Sequence, residues 1–368
     1  GPISFTLKGF YLNRRNDSDG GPLTSAAGVG VPSTSPFFIP VAGATTTETF
    51  IYNYSPVFGN SSAQVTNLES WGFTPSVRVE LGSRWQMNAE VNYGVGKSNF
   101  RGQLLNPTPI NSAAAAGTFN PANLAAAGNA AVLATAKDWF TYGRARNTTS
   151  SLRAVFDGPL FALPGGDLRV AFGGEMSKEQ YAGNNTRGAT AATISTLTNF
   201  QKVRTISSAF GELNLPIVGA DNRGFIYGLT LTASGRYDHY SDFGGTFNPK
   251  IGATLELTDW IKIRGNWGKA FQAPGLSDLA LAAAPSWNNL SVVTRPFTKP
   301  GLAPGSTQNN VLVVLGGVKL PLDPQKAQTW SAGFDVRPPV LPGLAFGATY
   351  YNIDFKGAIG FPPIFLPA

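Results

Sequence analysis

The sequence predicts an all-β chain whose strands form a transmembrane antiparallel β-barrel, and three observations carry that prediction. Segment after segment alternates apolar and polar residues at period two. Charged residues make up only 13% of the 368, while glycine supplies 43 and aromatics 12%; ordinary soluble domains carry about 25% charge. The connections between the alternating segments take turns at being long and short. So few charges leave little with which to solvate an ordinary exterior, yet mean hydropathy is −0.04 and no apolar run reaches the roughly 18 residues of a spanning helix. Apolar residues dispersed at period two suit strands with one face to lipid and one to water. A soluble β-sandwich or β-repeat protein also alternates and is the other fold the pattern allows.

In chain order, the period-two rule picks strands over about 3–12, 47–57, 71–81, 84–100, 137–157, 167–181, 203–215, 225–240, 246–257, 261–271, 325–336 and 344–356, about twelve in all. The first opens directly on Ile3-Ser4-Phe5, with no signal-peptide pattern before it. In the hairpin 71–100, Phe73, Val77, Val79, Leu81, Trp85, Met87 and Val91 fall on one side, and Ser76, Arg78, Glu80, Arg84, Gln86, Asn88 and Glu90 on the other. The split recurs at 229–238 and at 249–267, where Leu229, Leu231, Ile251, Leu255, Ile261 and Ile263 oppose Arg236, Asp238, Lys250, Glu256, Lys262 and Arg264. Charges inside a soluble barrel would be buried at high cost, whereas beside a wet lumen they stay hydrated. The expectation is that Trp85, Met87, Val91 and the apolar residues of the later strands face outward. Arg78, Glu80, Arg84, Glu90, Arg236, Asp238, Lys250, Glu256, Lys262 and Arg264 are then the candidates to line the lumen. Trp71, Trp139, Phe140, Trp260 and Phe271 stand near strand ends, where rings sit at headgroup level.

The long connections run over 13–46, 101–136, 182–202 and 272–324; the short ones are Gly82-Ser83, 158–166, 216–224, Thr258-Asp259-Trp260 and Arg337–Pro342. Only 241–245 is short where a long one is due, and 58–70 is somewhat long for a turn. Such alternation gives a barrel one rim of turns and one of loops. The long segments read as polar surface loops, not as a second domain. Within 101–136, Asn120-Pro121 places a capping side chain before a first-turn proline, which predicts a short helix over 121–136.

Other chemistries find little support. Gly96-Lys97-Ser98 invites a phosphate-loop reading, but Val91 stands where the earlier glycine is required and no helix signal follows. Strand rise from the turn at Gly82 instead puts Tyr93 near the upper lipid boundary and Lys97 above it. Cysteine is absent and His239 is the sole histidine, so no thiolate or paired-imidazole metal site exists and no cofactor is implied. The net charge of +7 is not gathered into a run and does not point to nucleic acid. No nucleophile elbow or fixed acid pair suggests an enzyme; Asp238 and Asp242 read as solvated loop-end carboxylates.

Four stretches carry a family resemblance: "DGPLFALPGGDLRVAFGGEMSKEQY" (157–181), "RYDHYSDFGGTFNPKIGATLEL" (236–257), "WIKIRGNWGKAFQAPGLSDL" (260–279) and "LDPQKAQTWSAGFDVRPP" (322–339). In order and spacing they resemble successive barrel segments of the TonB-dependent outer-membrane receptors. The family's Gly-x-x-Phe-x-Ala-Pro-x-Leu is met by Gly268, Phe271, Ala273, Pro274 and Leu276, while Gln272 stands where arginine is common and Gln325 where glutamate is. The resemblance implies a bacterial outer-membrane receptor whose barrel, of 22 strands, is closed by an N-terminal plug. It also implies uptake of a scarce nutrient with energy relayed by the inner-membrane TonB complex. Residues 1–368 are expected to be the middle of such a barrel, with plug, energy-coupling box and closing strands elsewhere, since the prolines of 360–368 exclude an interior strand. The ligand expected by default is an iron-siderophore. A passive porin-like channel and a surface-binding β protein are the alternatives.

Overall fold

The computed structural model describes residues 2–23, 28–39, 46–50, 52–59, 63–82, 84–190, 195–283, 291–297, 308–314 and 322–359, so the terminal proline segment lies outside the described residues. In chain order the strands are β1 (Ile3–Asp19), β2 (Val29–Pro32), β3 (Thr47–Phe50), β4 (Ala63–Glu80), β5 (Gln86–Leu104), β6 (Trp139–Leu163), β7 (Gly166–Gly188), β8 (Ser195–Val218), β9 (Gly228–Tyr240), β10 (Gly244–Glu256), β11 (Ile261–Gln272), β12 (Ser291–Phe297), β13 (Gln308–Val314), β14 (Gln325–Val336) and β15 (Phe346–Lys356). Among the described residues the α-helices are α1 (Ser55–Phe58), α2 (Pro107–Ala115), α3 (Ala130–Lys137) and α4 (Leu276–Ala283), none long and apolar enough to cross a membrane. Eleven strands join one antiparallel sheet in the order β1-β4-β5-β6-β7-β8-β9-β10-β11-β14-β15; β2 pairs with β3 and β12 with β13 separately. Each strand of the large sheet pairs antiparallel with its predecessor in the sheet, through tight turns at one end and mostly longer connections at the other.

The ladders sort the side chains as the alternation predicts. Ile3, Val79, Met87 and Phe156 stand side by side across four strands, and Phe5, Val77, Ala89 and Ala154 form the next row on the same face. Further round, Leu229, Leu255, Ile263 and Phe334 align, as do Ala233, Ile251, Trp267 and Trp330. The opposite face carries Arg78 beside Asn88, Glu90 beside Arg153, Ser234 beside Lys250, and Gly228, Glu256, Lys262 and Asp335 in one row. Period two propagates across hydrogen-bonded strands, so one row fixes the face of the next.

Four expectations change. The predicted strand 84–100 starts at Gln86, because Arg84 has φ of 65° and closes the turn together with Gly82 at 74°. The predicted strand 47–57 does not join the large sheet: its first part is β3, paired with β2, and α1 follows. The tall strands are longer than predicted, with 19 residues in β5, 25 in β6, 23 in β7 and 24 in β8, where about 9–11 tilted residues cross a bilayer. The connection expected over 182–202 contracts to 189–194, since β7 and β8 stay paired through Asn184 with Asn199 and Asn185 with Thr198. Where both faces meet water, the backbone ladder continues without the hydrophobic alternation that would betray it.

The two loops over 20–62 and 105–138 are not simply polar. They share a hydrophobic core of Val29, Val31, Tyr54, Ile110, Ala114, Phe119, Leu133 and Ala136, with the Phe50, Tyr52, Tyr54 and Phe58 rings in succession at 5.8, 5.9 and 5.8 Å. The expected helix 121–136 forms only as α3, from Ala130. Another Asn-Pro pair does the capping: Asn106 accepts the Thr108 N–H at 3.1 Å with Pro107 in the first turn of α2. Asn120 instead closes a turn, accepting the N–H groups of Ala122 and Asn123. Asn129, 1% exposed, ties that turn down. Its amide oxygen accepts the Asn120 N–H at 2.8 Å, and its nitrogen donates to the carbonyls of Asn120 and Asn123 at 2.9 Å each.

Two measurements check this architecture. In the protein folded into vesicles, Ile251→Arg on the apolar face should lower unfolding free energy by about 2–4 kcal/mol, and Lys250→Met on the other face by far less. Equal losses would mean that the faces are not divided between lipid and water. Asn129→Ala removes three buried hydrogen bonds and should cost the loop cap about 1–3 kcal/mol; limited proteolysis of intact cells should then cut within 116–129 while the sheet stays resistant.

Candidate functional site

The polar face holds the sequence-predicted residues and joins several of them into networks. The Arg236 guanidinium bonds Asp238 at 2.7 Å, Ser208 Oγ at 2.9 Å and Glu175 at 3.3 Å, and Ser208 donates to Asp238 at 2.6 Å. The Phe210 ring beside it receives two guanidinium groups, Arg153 at 5.1 Å and Arg236 at 5.5 Å. Such a network fixes side chains that would otherwise sample many rotamers. Toward the turn-side rim, Lys262 pairs with Glu256 at 2.6 Å and Arg264 with Asp335, while Arg264 also reaches Thr349 Oγ1 at 2.8 Å. Arg78, Glu80, Glu90 and Lys250 share this face by register, without an ion pair among the described residues.

Arg84 stands apart from the others. It lies in the β4–β5 turn, bonded to Asp167 at the start of β7 at 2.5 Å. That hydrogen bond holds the Asp167 carboxyl below the usual carboxylate range and the Arg84 guanidinium above its own. Trp85, also outside the strand, lays its indole over Gly158, where an added Cβ would come within 2.4 Å of the ring, and meets the edge of Phe172 at 6.2 Å.

At the loop-side rim sequence reasoning missed a second cluster. Arg204 of β8 is 3% exposed and grips Asp242 through Nε at 3.1 Å and Nη2 at 2.8 Å, with Glu179 at 3.7 Å. The Tyr240 and Phe243 rings flank its guanidinium at 5.8 and 5.2 Å and stack on each other at 4.4 Å; Phe271 adjoins both. Asp242 is therefore an ion-paired carboxylate with its side chain largely covered rather than a solvated one, and Asp238, 5% exposed, is a buried partner. The signal was there in part, since the turn between β9 and β10 is the short one where a long loop was due. A bidentate arginine from the neighbouring strand is what holds it down.

Two further elements shape this rim. Helix α4 leaves the end of β11 and lies against β8 and β7, three and four strands away in the sheet, with Asp278 accepting the Gly275 N–H at 3.0 Å at its start. The packed cap of 20–62 and 105–138 rises from β1, β4, β5 and β6. Within it, burial raises the Tyr52 phenol above its usual range, with Tyr54 and Glu48 adding to the effect. Lys97, whose place above the lipid boundary was expected, pairs with Glu69 across the β4–β5 ladder at 2.9 Å. The Trp71 and Tyr93 rings stand two to four residues closer to the apolar band, 5.6 Å apart. The arrangement is a polar face crossed by charge networks and ending in a cluster of aromatic rings and arginine at the loop-side rim.

Known proteins agree with this geometry. No curated protein matches the chain in sequence. Among solved structures, the ferric-catecholate import receptor Fiu of E. coli K12 in its closed form aligns with a TM-score of 0.52 at 14% identity. That alignment covers 97% of this chain and 50% of the receptor. The ferripyoverdine receptor of the Pseudomonas aeruginosa outer membrane, bound to ferripyoverdine, aligns with a TM-score of 0.50 at 11% identity, over 96% of this chain and 39% of that one. The chain thus spans about half the length of these receptors or less. The family described as TonB dependent receptor-like, beta-barrel, matches over residues 4–366. With eleven strands in one antiparallel meander, an apolar face, and a polar face of charge networks, the chain belongs to the TonB-dependent receptor β-barrel family.

Proposed function

We propose that this chain is part of the wall of an energy-coupled receptor of the bacterial outer membrane that takes up a scarce nutrient, a ferric siderophore in the first instance. The single observation that carries the reading is the division of one sheet into two unbroken faces, apolar and charge-networked, together with the family match over 4–366. The apolar face meets outer-membrane lipid. The polar face, with Arg78, Glu80, Glu90, Arg236, Asp238, Lys250, Glu256, Lys262 and Arg264, looks into the lumen, and Arg84 stands at its periplasmic rim. Ferric chelates as ligands are suggested by the two solved receptors that share the fold, both named for such cargo.

Two further parts of the reading concern what surrounds the chain. Among the described residues β1 pairs only with β4 and β15 only with β14, leaving two free sheet edges. An open edge in lipid leaves backbone groups unsatisfied at several kcal/mol each, which supports additional strands closing the barrel, to 22 in all, around a plug domain. The TonB complex of the inner membrane would act through that plug. No catalytic role is assigned, since the networks consist of ion pairs that lock side chains and not of an activated nucleophile or a poised acid and base.

Labelled ferric siderophore, presented to cells expressing the parent gene with and without a protonophore, tests the proposal. Binding should persist in both conditions, whereas accumulation should collapse without the gradient, because displacing a plug requires work and binding does not. Uptake undiminished by the protonophore would indicate a passive channel instead, and binding without membrane localisation would indicate a surface β protein.

A further inference from the structure

Past the aromatic residues at its loop-side margin, the apolar face changes character within three successive rows of the ladder. The first row holds Glu69, Lys97 and Arg146; the second Arg15, Asn67, Asn99 and Arg144; the third Asp17, Val65, Arg101 and Tyr142. All continue the face of Met87, Val91 and Tyr93, since each row is an even number of residues further on. Lys97 lies four residues past Tyr93, about 13 Å along the strand. These rows therefore stand where hydrocarbon gives way to headgroups.

Their charges do not cancel. Arg15 is taken by Asp17 at 2.8 Å and Lys97 by Glu69 at 2.9 Å. Arg101, Arg144 and Arg146 are exposed and have no acidic partner among the described residues. Arg101 is held in place by the Phe140 ring, 4.1 Å below its guanidinium. Arg15, Arg101 and Arg144, with Asn67, Asn99 and Tyr142, line a groove of about 570 Å³. Guanidinium forks, amide groups and a phenol supply many donors here and no carboxylate lines the groove, which suits a group whose oxygens only accept.

We propose that this groove binds the phosphate-bearing headgroup of a lipid in the loop-side leaflet, with the acyl chains running down over Tyr93 and Val91. The lipid source follows from continuity, because the groove opens on the membrane-facing side of the wall, directly above the apolar band. The inference rests on that face meeting lipid and is independent of whether transport is energy-coupled.

The test uses full-length receptor in neutral phosphatidylcholine nanodiscs, with native mass spectrometry reporting retained lipid. Diphosphoryl lipid A is compared with a dephosphorylated form carrying the same acyl chains. Wild type should retain the phosphorylated lipid at about tenfold lower concentration or better, as juxtamembrane basic clusters do. Arg101→Gln/Arg144→Gln/Arg146→Gln should lose the preference, and the matching triple lysine variant should keep most of it. Equal retention of the two lipids by wild type, or an unchanged preference in the triple glutamine variant, would overturn the proposal. Displacement of the lipid by an equal concentration of inorganic phosphate would also overturn it, by assigning the groove to a free anion. Should the triple glutamine variant fail to insert, Arg144→Gln alone, at the centre of the groove, should weaken retention severalfold, and no change in that variant would count against the site.

Discussion

The constraint on which the rest of this structure depends is that a strand in hydrocarbon has no water to complete its hydrogen bonds. Every N–H and C=O in the membrane must be met by the next strand, so the strands meander in strict sequence and no crossover interrupts the order. Face alternation follows as a consequence, because neighbours locked in register must present the same kind of side chain to the same medium. The ladder also frees the polar face from any duty to build a core. Its residues can be arranged for electrostatics, as the Arg236, Asp238, Ser208 and Glu175 network is.

Ion pairs on such a face differ in kind from those on an ordinary surface, where side-chain entropy offsets most of the gain. Here the partners stand on the same or nearby strands of one ladder whose spacing is already fixed, so little freedom remains to be lost. Arg204 carries this furthest. Nearly buried, bidentate to Asp242 and flanked by two rings, it binds the β9–β10 turn to β8, which lets the wall end abruptly at that point without a loop.

The sequence made the membrane-crossing part of the fold legible and left the parts above it obscure, for one physical reason. Alternation records a difference between two media, and only the strip between lipid and water has that difference. Met87, Val91, Ile251 and Ile263 could be assigned a face because their neighbours at odd spacing were charged or amide-bearing. Asn184 and Asn185 could not be recognised as strand residues, because water lies on both sides of them. The cap escaped for the opposite reason: Val29, Ile110, Phe119 and Leu133 are scattered among alanines and prolines, and only tertiary contact gathers them. At the polar face the residue types were readable but their partners were not, since Glu175 and Arg236 are 61 positions apart and meet only through the register of β7, β8 and β9.

The shared core of the two cap loops bears on how this end of the wall can vary in sequence. Loops that protrude independently can be exchanged one at a time, each trial leaving the others intact. Here β2, β3 and α1 on one loop and α2 and α3 on the other bury their apolar residues against each other, so an insertion in 20–62 would strip the inner side of 105–138 as surely as a deletion in it. The pair behaves as one inherited module. Diversification at this rim should proceed by replacing both loops together or by altering only their outer surfaces, while the short β9–β10 hairpin, tied to β8 through Arg204 and Thr205 and to the Phe271 ring of β11, can vary without disturbing that core.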